Sequence, residues 1–325
     1  MMLFKFLASA FIVLVAGTFI WLDLSGDGSV ELALRQPDGG TSARLPPAGP
    51  VVADPDLLED GPNGMLPRVG SDGRMPWRVY RAVYKRGGGA KSPRIAVVIV
   101  DLGLKRDMTR LAIRTLPPEV TLAFSPYADN LPALVRRARL RGHEVLLAVP
   151  MEPEGYPKHD PGEQTLLTSN SQERNLRLLK WSMGRFPGYV GIVAHEGGRF
   201  LRSPDHLRPV LSEVKARGLM FLDPSTVAAE GAANHGVAGT LSAQLGLPML
   251  AVTAVIDDDP SPVGVTARLD AIAAGAKAAG HAVALGRPYP ATLKAVKRWL
   301  AGFGENGLSA APITAVAEGM AKTGK

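Results

Sequence analysis

Two kinds of apolar pattern alternate along the C-terminal two thirds of the chain. Ile95–Val100, Val120–Phe124, Glu144–Val149, Val190–Val193, Met220–Leu222, Met249–Val252 and Ala282–Leu285 are short and almost wholly apolar. Between them, Met108–Leu116, Asn130–Gly142, Ser171–Phe186, Asp205–Arg217, Val263–Ala279 and Thr292–Phe303 repeat apolar residues at helical spacing. Strands apolar on both faces, separated by helices, predict a parallel sheet covered on both sides. About seven such units over some 230 residues favour a barrel over an open doubly wound sheet. Ser171, followed by Glu173, has the form of a helix N-cap.

The N-terminal third follows neither pattern. Phe6–Leu22 is seventeen residues without a charge, preceded by Lys5 and followed by Asp23 and Asp27. Its length and flanking charges predict a membrane helix over residues 1–24, N-terminus inside, with the remainder exported. That expectation places the protein in an inner membrane, single pass, with its C-terminal domain periplasmic. A cleaved signal peptide is the competing reading. Residues 25–75 are rich in Gly, Pro, Asp and Ser and predict a disordered tether. From Arg74 to Arg94 there are seven basic residues and no acidic one, with Trp77, Tyr80 and Tyr84 interleaved. This arm, residues 76–92, reads either as a contact for an anionic surface or as a strap with its aromatics inward and its arginines in water.

Composition changes the picture at two points. The chain has 325 residues and no cysteine, which removes disulfides, thiolate metal sites and thiol nucleophiles. The net charge of +7 equals that of the Arg74–Arg94 stretch alone, and the basic residues lack a nucleic-acid recognition fold around them. No glycine-rich phosphate loop follows the first strand, against a nucleotide-binding fold.

In a parallel barrel, functional groups collect after the C-terminal ends of the strands. Asp101, Glu152, His195, Glu196, Asp223, Asp257 and Arg287 all stand at such places, with Asp258 and Asp259 beside them. Carboxylates and a histidine converging there suit a divalent cation such as zinc with an open position for water. The spacing alone is not a metal signature. A lone loop histidine is more often simply hydrogen-bonded, and Asp223 before Pro224 is an ordinary turn opener.

Several segments, in order, resemble the divergent polysaccharide deacetylases. They are Val97-Val-Ile-Val-Asp-Leu-Gly103, Thr121-Leu-Ala-Phe-Ser-Pro-Tyr127, Gly142-His-Glu-Val-Leu-Leu147, Pro150-Met-Glu-Pro153, Thr165-Leu-Leu-Thr168, Gly188-Tyr-Val-Gly191 and Gly197-Gly-Arg-Phe200. The resemblance implies a distorted (β/α)7 barrel over residues 93–322 and metal-assisted removal of acetyl groups from an envelope glycan. It assigns Asp101 and His195 as metal ligands, Glu196 or Asp223 as proton carrier, and Glu152, Arg199, Asp257 and Arg287 as substrate contacts. The sequence also departs from the family pattern. Val100 stands where the general base is expected, Val252 and Thr253 where an Arg-Asp pair is expected, and Arg287 where a histidine is expected. A general acid or base is worth ~10²–10⁴ in rate. The alternative is therefore a catalytically degenerate barrel that binds an envelope glycan or a protein.

Overall fold

The computed structural model describes residues 52–87, 89, 91–225 and 236–323. The chain enters through a hairpin of β1 (Leu58–Gly61) and β2 (Gly64–Pro67), then a one-turn helix α1 (Pro76–Val79). Strands and helices then alternate: β3 (Arg94–Leu102), α2 (Arg106–Thr115), β4 (Thr121–Phe124), α3 (Leu131–Leu140), β5 (Val145–Met151) and α4 (Gln172–Met183). They continue with β6 (Gly191–Glu196), α5 (Pro204–Ala216), β7 (Met220–Asp223), α6 (Gly236–Leu245), β8 (Met249–Ala251) and β9 (Ala254–Val255). The series ends with α7 (Pro262–Ala279), β10 (His281–Gly286), α8 (Pro290–Ala301), β11 (Ser309–Ala310) and α9 (Ile313–Thr323).

The main sheet is wholly parallel, in the order β8-β7-β6-β5-β4-β3-β10-β9, with β11 beside the start of β3. Its two ends are consecutive in the chain. The Val252 N–H bonds the Asp223 carbonyl and the Thr253 N–H bonds the Val283 carbonyl, each at 2.8 Å. One extended segment thus passes from β7 to β10, as barrel-type α/β packing of these strands requires.

Alternation along the strands separates two apolar clusters. Ala96, Val98, Val100, Leu146, Ala148, Val193, Leu222, Val283 and Leu285 belong to one, with Leu57, Trp77, Tyr80, Ile313 and Val316. Ile95, Val97, Ile99, Leu147, Ile192 and Phe221 belong to the other, with the apolar faces of the helices. The first fills the space between the strands and the second glues helices to the sheet. Ser171 caps α4 as expected, its hydroxyl accepting from the Arg174 N–H at 3.3 Å.

One expectation needs correction. The tether does not run to residue 75: residues 58–67 form the hairpin, and Arg74 is bound to Asp54, Asp56 and Asp72. In this stretch the glycines serve turns, and Leu57 and Leu66 are buried apolar anchors that give the chain something to fold onto. Residues 76–87 form an inward-aromatic strap, as the second reading of the arm expects, with Trp77 and Tyr80 buried and Arg78, Arg81 and Arg86 exposed. The expected membrane helix, Phe6–Leu22, lies outside the described residues. Among those described, no helix is long and apolar enough to cross a membrane.

Candidate functional site

At the C-terminal ends of the strands, inward positions set by alternation bring polar side chains to one mouth. His195 continues the inward parity of Val193, and Arg287 that of Val283 and Leu285. Asp101 should point the other way, since Val98 and Val100 face inward. A register shift between Ile99 and Leu102, with Asp101 in the left-handed region at φ 59°, turns its carboxylate back into the mouth. Bulges and left-handed non-glycine residues of this kind re-aim side chains at the cost of local strain. Glu196, at the end of β6, has a φ of 62°, so two strand ends at the mouth are strained in the same way.

The groups that meet there form a chain. His195 Nδ1 is 3.2 Å from Asp101 Oδ1, and Arg287 Nε is 3.7 Å from Asp101 Oδ2. Arg287 is held from behind by Asp257. Its backbone N–H donates to Asp257 Oδ2 at 2.6 Å and its Nη1 to Oδ1 at 3.3 Å, while the Thr292 hydroxyl donates to Oδ2 at 3.0 Å. The Asp257 side chain is completely buried, whereas those of Asp101, His195 and Arg287 remain a quarter to a third exposed. Asp257 therefore positions Arg287 and cannot itself touch a ligand, a correction to its expected role in substrate contact. Asp101 and Asp257 also offset the charge of Arg287, so the mouth presents no net cation.

A second cluster lies beside this chain, across the β5–β6 pairing of Pro150 with His195. Glu152 is buried and accepts from the Thr168 N–H at 2.6 Å, the Thr168 hydroxyl at 2.7 Å and Arg199 Nη1 at 3.1 Å. Burial pushes its carboxyl up, but the Thr168 and Arg199 donors outweigh burial and hold it below the ordinary glutamate value. The Glu152 carbonyl accepts from the N–H groups of Arg199 and Phe200, which fixes the Gly197–Phe200 turn. Glu152 and Arg199 thus sit at the mouth as a bound pair.

The expected proton carriers are not brought together with the Asp101 chain. Glu196 points to solvent. Asp223 is fully buried, follows the outward parity of Phe221, and accepts from the Ser225 N–H at 2.8 Å through Oδ1. Burial raises its proton affinity, the more so because Oδ2 has no partner among the described residues. Val100 is buried among Val98, Val252 and Leu285, an apolar wall where a base would stand.

The divalent metal implied by the resemblance does not fit these donors. Zinc sites take three or four protein ligands. Asp101 and His195 supply two, and among the described residues no third His, Asp or Glu joins them. Both carboxylate oxygens of Asp101 already face a partner, and one of those partners is a permanent cation.

Sequence reasoning found the mouth residues but missed the Asp257–Arg287 lock. The two are thirty positions apart, and only the β9–β10 pairing puts them side by side.

A sequence model of the divergent polysaccharide deacetylase family matches residues 97–317. Among curated proteins, the chain is similar to the Escherichia coli protein YibQ, 24% identical over 205 residues. That match covers 63% of this chain and 61% of the relative, so it spans less than two thirds of the relative's length. A Haemophilus influenzae protein is 26% identical over 227 residues, covering 69% and 77% respectively. The crystal structure of ATU2773 from Agrobacterium tumefaciens is similar with a TM-score of 0.72 and 32% identity, covering 78% of this chain and 99% of that one.

Proposed function

The chain belongs to the divergent polysaccharide deacetylase family, and from that premise we propose that its barrel mouth binds an N-acetylated envelope glycan without hydrolysing it. The observation that carries this reading is Arg287, fixed by buried Asp257 against Asp101 where a metal-dependent site would need a ligand. Partly exposed carboxylate, imidazole and guanidinium edges suit sugar hydroxyl and amide groups, which offer donors and acceptors but no charge. A preference for anionic glycans, expected from Arg287 alone, is not supported once Asp101 and Asp257 balance it. In this proposal Phe6–Leu22 anchors the protein and the barrel works in the periplasm.

A second reading rests on the contact between Asp101 and His195. A carboxylate orienting an imidazole is the arrangement of a general base, and Arg287 beside it would stabilise an oxyanion in metal-free hydrolysis. Val100 and the apolar wall around it weigh against this reading, because nothing there supplies the second proton-transfer group.

The test of the binding reading is calorimetric titration of tri-N-acetylchitotriose into the full chain, with and without chelator. We expect saturable binding that chelator leaves unchanged and that Arg287→Ala weakens about tenfold or more, the loss of one charge-assisted hydrogen bond. No binding, or binding that needs a divalent metal, contradicts the reading.

A further inference from the structure

The opposite end of the barrel carries a concavity that the mouth does not explain. The strap, the start of β3 and α9 enclose about 540 Å³. Four arginines, Arg78, Arg81, Arg86 and Arg94, line it together with one glutamate, Glu318, for a net charge of +3. Arg81 pairs with Glu318. Among the described residues no carboxylate lies within ion-pair distance of the other three.

Each of those three is instead held by a neutral partner. Arg78 lies over the Trp77 ring at 5.0 Å, Arg86 Nη2 donates to the Ser92 carbonyl at 2.6 Å, and Arg94 Nη1 donates to the Ala315 carbonyl at 2.8 Å. Such contacts use one of the five donors of a guanidinium or none, and leave the rest available. Arg94 also explains a glycine. A Cβ at position 319 would overlap its guanidinium, so α9 has Gly319 where that group lies across it.

The strap that carries these arginines is itself fixed. The Ala82 N–H donates to Glu144 Oε1 at 2.8 Å, Arg139 Nη1 donates to the Tyr80 carbonyl at 2.8 Å, and the Tyr84 and Ser309 hydroxyls are 2.7 Å apart. The charges are therefore preorganised rather than gathered by a ligand. Val83, half-exposed, and Tyr84 give the rim an apolar edge. Asp54 adds a further tie to the strap, its N–H donating to Tyr80 Oη at 2.9 Å.

We propose that this concavity is a phosphate-binding site. Three guanidinium groups in one concavity, without a carboxylate partner among the described residues, call for a multiply charged tetrahedral anion whose oxygens match their forked donors, which a phosphate ester provides and a single sugar carboxylate does not. The ester is either a small soluble one or the headgroup of an anionic phospholipid.

The test uses the full chain in uncharged detergent at fixed ionic strength. It is titrated with inorganic phosphate, glycerol 3-phosphate, short-chain phosphatidylglycerol and short-chain phosphatidylcholine. The expected result is one saturable phosphate site that Arg78→Ala, Arg94→Ala and Gly319→Ala each weaken about tenfold or more and that Arg287→Ala leaves unchanged. Phosphatidylglycerol binding at least tenfold tighter than glycerol 3-phosphate assigns the headgroup; equal affinities assign the soluble ester. Arg94 braces α9, so if Arg94→Ala does not fold, the exposed Arg78 gives the reading. Phosphate heats that chloride reproduces, or affinities unmoved by Arg78→Ala, overturn the proposal.

Discussion

Asp257 and Arg287 show how one buried carboxylate decides what an exposed cation can do. Arg287 alone on a strand end would swing in solvent, and the three hydrogen bonds to Asp257 from its own backbone, its guanidinium and Thr292 hold it at the mouth. Asp257→Asn keeps an acceptor for the backbone N–H but removes the charge facing the guanidinium. It should weaken glycan binding as Arg287→Ala does while lowering stability by no more than ~1 kcal/mol, since the Arg287 side of the pair is screened by solvent. Asp257→Ala, which leaves Arg287 N–H and the Thr292 hydroxyl without their acceptor, should cost about 2 kcal/mol. Calorimetric titration and chemical denaturation of both variants separate positioning from packing. Equal loss of binding and stability in the two variants contradicts the positioning role. The residue types at the mouth were legible in the sequence because they follow apolar runs. The inward aim of Asp101 was not, because strand alternation points it outward and only the bulge and its left-handed backbone reverse that.

The strap shows a sequence motif that serves shape rather than chemistry. Gly142-His-Glu belongs to the segments that carry the family resemblance, yet His143 and Glu144 lie at the closed end of the barrel and are fully buried. Glu144 accepts from the Ala82 N–H, the Thr314 N–H and the Thr314 hydroxyl, tying the strap to α9. Burial raises its proton affinity above the ordinary value of 4.5, opposed only in part by those donors and by Arg139. Burial likewise pulls the Arg139 guanidinium down, to about 10. A raised carboxyl value means that the contribution of Glu144 to stability is full below 4.5 and is lost as pH rises through the folded value. Glu144→Gln should therefore be less stable at pH 4.5, by ~1–3 kcal/mol for the donor that its amide now faces, and should lack that decline. Thermal melts across pH 4–8 check this, and identical pH slopes in the two proteins contradict it. Helices with clear caps, such as α4, were legible. The β1–β2 hairpin was not, because its Gly and Pro content reads as tether until Leu57 and Leu66 are seen buried. Nor was α9, whose polar Thr, Glu and Lys positions interrupt the apolar spacing.

At the scale of the whole molecule, the barrel has two ends with different chemistry. The closed end carries positive charge that is in excess among the described residues, and the open end carries charges that leave no net cation. The parallel architecture was legible because doubly covered strands must be apolar throughout. The balance of charge at each end was not, because it depends on which strands become neighbours. The proposal for the mouth is that its fixed ion-pair chain binds a glycan without hydrolysing it. Acetate release from N-acetylated chitooligosaccharide by the full chain, measured with added zinc and again with chelator, tests this most directly. The account predicts no release above the Asp101→Ala background in either condition; release under either condition that Asp101→Ala abolishes would contradict it.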